Sequence, residues 1–118
     1  MLVLWFGQIH AQSEYNGIIL AINKGNTAEL SKYFDNRIDI SINGEANNYS
    51  KEQGEIILSK FFNELSDKEL TIVKKVQNAK GLFIMGNLKT KQSNYRVFIN
   101  IKQIDNKIIL QEIRFEKT

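Results

Sequence analysis

Helical spacing comes first in this chain, and alternating spacing then runs almost unbroken to the C-terminus. That order is the tightest constraint on what it can fold into. A sheet with one apolar face needs a cover, and elements placed ahead of it in sequence must supply that cover, which is the α+β solution. At 118 residues, 42% of them hydrophobic, the chain holds one domain with a single core.

The helical part is punctuated. Tyr15, Ile18, Ile19 and Ile22 fall on one stripe, and Gly25 supplies a C-terminal stop. Asn26 with Glu29 forms a capping-box pattern for a second short helix, whose apolar side is Leu30, Tyr33 and Phe34. Ser50 and Gln53 repeat the pattern ahead of a third helix that buries Ile57, Leu58, Phe61, Phe62 and Leu65. Gly54 inside that helix costs about 1 kcal/mol against alanine, which points to a close backbone approach. Between the second and third helices, Ile38, Ile40 and Ile42 alternate with Asp39 and Ser41, giving a short strand that ends at the turn pair Asn43 and Gly44.

Neighbouring strands must agree on which face is buried, and this tests the C-terminal half. With Lys91 and Gln92 as a turn, Leu88 lies opposite Tyr95, Gly86 opposite Val97, Ile84 opposite Ile99 and Leu82 opposite Ile101. Carrying the parity back through a turn at Asn78 to Gly81 puts Val76, Ile72 and Leu70 on the same face. The last hairpin turns at Asp105 and Asn106, and a strict register there buries Arg114 and Glu112. One extra residue, as a bulge or a longer turn, pairs Val97 with Phe115 and Ile99 with Ile113 instead; an unpaired buried charge costs several kcal/mol, so the bulge is expected. The predicted sheet is curved, four-stranded and antiparallel, with the short early strand beside it. Its far face carries Phe83, Met85 and Phe98 together, with Arg96 and Arg114 around them. Three adjacent apolar side chains on a flat sheet are a candidate dimer or partner face.

Several stretches together resemble one bacterial family: Tyr33 to Asp35, Tyr49 to Lys51, the Phe61 and Phe62 pair, Gly86 to Thr90, Tyr95 to Val97, and Ile113 to Glu116. It is a secreted family of domains of unknown function with the cone fold of nuclear transport factor 2, also called cystatin-like. The resemblance covers nearly the whole chain after its first dozen residues. It implies an envelope location and that fold, and it carries no activity. The chain departs from the family between Val73 and Lys80, where a histidine-glycine pair is replaced by Lys74 to Asn78, so no role of that histidine transfers.

Composition removes most catalytic chemistry. There is no cysteine, and the single histidine is His10, so from residue 12 onward no imidazole or thiol nucleophile exists and zinc or copper has no ligands. Acids such as Glu52, Glu55 and Asp67 are too sparse for calcium, and the glycines stand alone rather than in a phosphate loop. No cofactor or metal is expected. A net charge of +3 on scattered lysines argues against nucleic acid, and no later stretch approaches the ~18 apolar residues that cross a bilayer. Leu2 to Phe6 and the small Ala11 before Gln12 read as the tail of an export signal, although no basic segment precedes them. Residues 1–11 are then a leader remnant and residues 12–118 the domain, which would lie in the periplasm or outside the cell.

Two functional readings follow. In the first, the protein is a non-catalytic binder with Tyr33, Tyr49 and Tyr95 as candidate pocket residues for a small apolar ligand, or with an envelope protein or second copy on the outer face. In the second, it is a small lyase or isomerase of the kind some cone folds house, with Asp35 or Asp39 as base and a tyrosine as donor. Asp35 sits at a helix end and Asp39 alternates with buried isoleucines, so each also has a purely local explanation.

Overall fold

The computed structural model describes residues 15–118. The expected leader remnant at residues 1–11 and the domain boundary at Gln12 lie outside the described residues. Helix α1 occupies residues 15–24, α2 Thr27–Ser31 and α3 Lys51–Asn63. The strands are β1 Phe34–Ile42, β2 Glu45–Ser50, β3 Glu69–Asn78, β4 Gly81–Lys89, β5 Asn94–Ile104 and β6 Lys107–Lys117. They form one sheet in the order β2-β1-β6-β5-β4-β3.

The caps work as the sequence predicts. Asn26 Oδ1 accepts from the Glu29 N–H at 3.1 Å and Ser50 Oγ from the Gln53 N–H at 3.2 Å, each satisfying a donor that the first helical turn leaves open. Gly25 ends α1 with φ of 62°. The buried stripe of α1 is Tyr15, Ile18, Ala21 and Ile22. Its polar side is used as well: Asn23 Oδ1 accepts from the Leu70 N–H at 2.7 Å, which straps α1 to the start of β3.

Strand phase agrees with the hairpin argument. Leu88 pairs with Tyr95, Gly86 with Val97, Ile84 with Ile99 and Leu82 with Ile101. Tyr95, Val97, Ile99 and Ile101 are 6, 0, 0 and 4% exposed, while Arg96 and Phe98 point to the other face. The β5–β6 register shifts between Asn100 and Ile101, so Val97 meets Phe115 and Ile99 meets Ile113, with Gln111 as the extra residue. Asp105 and Asn106 take φ of 50° and 63°, as a tight hairpin requires.

Three expectations need correcting. Phe34 is not a helical residue: α2 stops at Ser31, Tyr33 lies in the following turn, and Phe34 opens β1. The sheet has six strands, because Glu45–Ser50 pairs antiparallel with β1 across the Asn43–Gly44 turn. That segment is nearly all polar since it is an edge strand, which hides it from a hydrophobic-pattern reading. The four C-terminal strands are antiparallel as expected, and the early strand β1 joins them parallel to β6, so the sheet is mainly antiparallel. Finally, Val76 pairs with Phe83 on the outer face; a bulge at Val73, between the Ile72–Gly86 and Lys74–Met85 pairs, reverses the parity of β3.

The centre of the cone is filled by aromatic rings. Phe61 lies 4.7 Å from Phe115 and edge-on to Tyr95 at 5.3 Å, and Phe62 meets Phe115 edge-on at 5.7 Å. Gly54 lets α3 sit on β1, since a Cβ there would come within 2.5 Å of Ile38 Cγ2. Tyr15 is 7% exposed and its hydroxyl is buried without a hydrogen-bond partner.

Two stability measurements test this packing. Gly54→Val overfills the α3–β1 contact and lowers unfolding stability by roughly 1–3 kcal/mol in urea denaturation. A midpoint equal to that of the parent would show that Ile38 yields freely. Tyr15→Phe removes an unpaired buried hydroxyl, so stability at neutral pH is unchanged or rises by up to about 1 kcal/mol. Burial also raises the Tyr15 phenol above its ordinary value of 10.0. The folded chain then holds that proton more tightly than the unfolded one, a contribution present below pH 10.0 and lost as pH rises through the folded value. Tyr15→Phe therefore flattens part of the alkaline decline seen in denaturation at stepped pH.

Candidate functional site

On the outer face the strand registers align side chains into rows. Asn48, Asp39, Glu112, Asn100, Phe83 and Val76 form one row, and Ala46, Ser41, Arg114, Phe98, Met85 and Lys74 form the next. A third row holds Glu116, Arg96, Asn87 and Thr71. The five residues named from sequence, Phe83, Met85, Arg96, Phe98 and Arg114, are thus brought together on one surface, each of them half-buried. The Phe83 and Phe98 rings lie 6.2 Å apart. The Arg114 guanidinium sits 4.8 Å over the Phe98 ring and donates to Glu116 at 2.6 Å. Arg96 donates to Asn87 Oδ1 at 3.0 Å and reaches Met85 Sδ at 3.9 Å. Both arginines are held by neighbours on their own sheet, and each reaches into the apolar strip, Arg114 over Phe98 and Arg96 onto Met85.

Beside this strip, on the same face, lies a polar cleft of about 470 Å³ whose walls include Asp35, Asp39, Lys102 and Glu112. Asp39 accepts from Asn48 Nδ2 at 2.7 Å, and Arg37 donates to both the Asn48 side chain and, at 3.0 Å, its carbonyl. Asp35 and Asp39 are both exposed to solvent. Among the described residues no group of three or more acidic or imidazole side chains is placed to hold a metal ion, and no helix is long and apolar enough to cross a membrane.

The three tyrosines do not share a pocket. Tyr95 is buried under Phe61. Tyr49 precedes α3, about ten helical residues or ~15 Å from Phe61 along the helix, and its hydroxyl accepts from Asn47 at 3.3 Å. Tyr33 rests its hydroxyl against α1 where Gly17 leaves room for it. None of them lines the polar cleft or the larger cavity at the far end of the sheet. That end cavity, about 560 Å³, lies between the start of α1 and the β3–β4 turn, with Tyr15, Lys75, Leu82, Ile101 and Ile108 in its wall. Lys75 reaches it because the Val73 bulge turns it toward the helix side, opposite Ile84, where its ammonium stands 5.5 Å from the centre of the Tyr15 ring. Sequence reasoning missed this site. A signal was present: Lys74 and Lys75 are consecutive on a strand, so one of them must face the helices.

Among curated proteins none matches this chain. The crystal structure of a DUF4783 family protein from Bacteroides uniformis ATCC 8492 is 27% identical and superposes with a TM-score of 0.80, over 87% of this chain and 95% of that one. An NTF2-like protein of unknown function from Cytophaga hutchinsonii ATCC 33406 gives a TM-score of 0.65 at 7% identity, over 92% and 89% of the two chains. A putative ketosteroid isomerase from Kribbella flavida DSM 17836 gives 0.66 at 8% identity, over 92% and 78%. These last two share the fold alone. The α+β cone with helices ahead of a curved sheet is therefore an NTF2-like fold. The family model described as a domain of unknown function, DUF4783, matches residues 15–116, and the chain belongs to that family.

Proposed function

We propose that this protein is an exported, non-catalytic binding protein that associates with a second copy of itself through the outer face of its sheet. The observation that carries this reading is the strip of Phe83, Met85 and Phe98, continued by the exposed Val76 and bordered by arginines and glutamates. Phenylalanine, methionine and arginine are the residue types enriched where proteins meet. A two-fold axis near the Met85–Phe98 pair lays the strip of one copy on the strip of the other. The bordering Arg96 and Arg114 then approach the partner's acidic rows, so the surface complements itself in charge. Association edge to edge is disfavoured, since β2 is short and polar and β3 is bulged beside two lysines.

Export is supported by the apolar run at Leu2 to Phe6, the Ala11–Gln12 junction, and a family match that starts only at residue 15. The isomerase reading is less well supported. It needs a carboxylate in a water-excluded pocket, and both Asp35 and Asp39 stand in solvent on the outer face.

Sedimentation equilibrium tests the association. The parent chain dimerises, and Phe98→Asp weakens the dimer by at least about thirtyfold, or 2 kcal/mol, while its circular dichroism is unchanged. A parent that stays monomeric at every concentration reached, or a Phe98→Asp chain that dimerises as well as the parent, removes the proposal. Mass spectrometry of protein recovered from the host envelope is expected to find Gln12 at the N-terminus. Intact chain confined to the cytoplasm contradicts export.

A further inference from the structure

Sulfur is scarce in this chain. It has no cysteine and two methionines, Met1 and Met85, so among the described residues Met85 carries the one sulfur atom. That residue stands in the middle of the outer face of the sheet, paired with Phe98 on β5 and with Lys74 on β3. It is half-buried and lies outside the core, so part of its side chain is open to small solutes in the single chain. Arg96 is aimed at it. The Arg96 Nε donates to Asn87 Oδ1 at 3.0 Å, and its Nη1 reaches Met85 Sδ at 3.9 Å. The carboxylate opposite Arg96 on β6 belongs to Glu116, yet Glu116 bonds Arg114 at 2.6 Å. Arg96 therefore directs a charged donor at a thioether, one of the weakest acceptors a protein offers.

A guanidinium beside a thioether gains little until the sulfur carries an oxygen. Oxidation to the sulfoxide turns a flexible apolar side chain into a polar one, and the new oxygen accepts far better than the sulfur did. We propose that Met85 is a redox-modification site: a peroxide converts its thioether to the sulfoxide, Arg96 holds the new oxygen, and this polar product in the Phe83, Met85 and Phe98 strip keeps the chain from pairing with a second copy. In that step one peroxide oxygen bonds to Sδ as the O–O bond breaks. The sulfur is oxidised by two electrons and the peroxide is reduced; the proton of the transferred oxygen moves to the departing one, which leaves as water. The effect on pairing rests on the association proposed above, whereas the oxidation and the Arg96 bond do not. Pairing in turn covers Met85, so the two states exclude one another: a paired chain shields the sulfur, and a sulfoxide in the strip resists losing its water.

Treatment of the full chain with hydrogen peroxide tests this, with peptide mass spectrometry to distinguish Met85 from Met1. Complete oxidation of Met85 weakens the dimer by at least about thirtyfold in sedimentation equilibrium, while circular dichroism remains that of the folded chain. Met85→Gln weakens the dimer without any oxidant, and the dimer constant of Met85→Leu is the same before and after peroxide. Oxidation of the parent slows as its concentration rises into the dimer range, whereas Phe98→Asp is oxidised at one rate throughout. In urea denaturation at dilution to monomer, oxidation lowers the folding constant of Arg96→Leu about tenfold more than that of the parent, the scale of a charge-assisted hydrogen bond. A Met85 that resists peroxide in the folded monomer overturns the proposal. So does an oxidised chain that dimerises as the untreated one does, or an equal loss of stability in the parent and Arg96→Leu. An untreated parent that never dimerises removes the association and its control together, and the oxidation and the Arg96 bond are then still decided by mass and by unfolding, so the two failures are told apart.

Discussion

The structure depends on the clamp between α3 and the middle of the sheet. Phe61 and Phe62 are consecutive, and on a helix consecutive residues diverge by about 100°, yet both rings reach Phe115 because they straddle it. Phe115 lies inward only because Gln111 is inserted into β6. Without that insertion the strand would present Arg114 and Glu112 to the helices, and the same two phenylalanines would rest on charges. Helix placement, strand phase and the composition of both sheet faces thus follow from one local irregularity and the rings it aligns.

Filling the cone centre with aromatic side chains moves the open volume elsewhere. The tyrosines that a pocket-centred reading selects are absorbed into packing: Tyr95 under Phe61, Tyr33 over Gly17, Tyr49 ahead of α3. Space remains at the end of the sheet, between the start of α1 and the β3–β4 turn, beyond the rings of Phe61, Phe62 and Phe115. The solved relatives share the fold, but the fold alone does not say where the free space lies, because side-chain size decides that within a common backbone.

Legibility in the sequence follows the strength of the physical penalty. The β4–β5 register could be read because four consecutive apolar pairs tolerate a single alignment. The bulge in β6 could be read because the alternative buries two charges. The bulge in β3 could not, since Val76 is apolar and fits either face at little cost, and so the inward position of Lys75 and the cavity it lines stayed hidden. β2 was invisible for a related reason: Glu45, Ala46, Asn47 and Asn48 are all exposed, and a stretch that buries nothing until Tyr49 leaves no alternating hydrophobic trace. The outer-face cluster was legible because it depended only on the phase of β4 and β5.

The sheet order has a consequence for how this molecule comes into being. β6, the last of the described strands in sequence, occupies an interior position between β1 and β5 and brings Ile113 and Phe115 to the core. Until β6 is made, β1 has no neighbour on that side and the Phe61 and Phe62 rings of α3 lack Phe115 to close upon. In vectorial synthesis the core therefore closes only after every other described strand has been made, when β6 enters between β1 and β5.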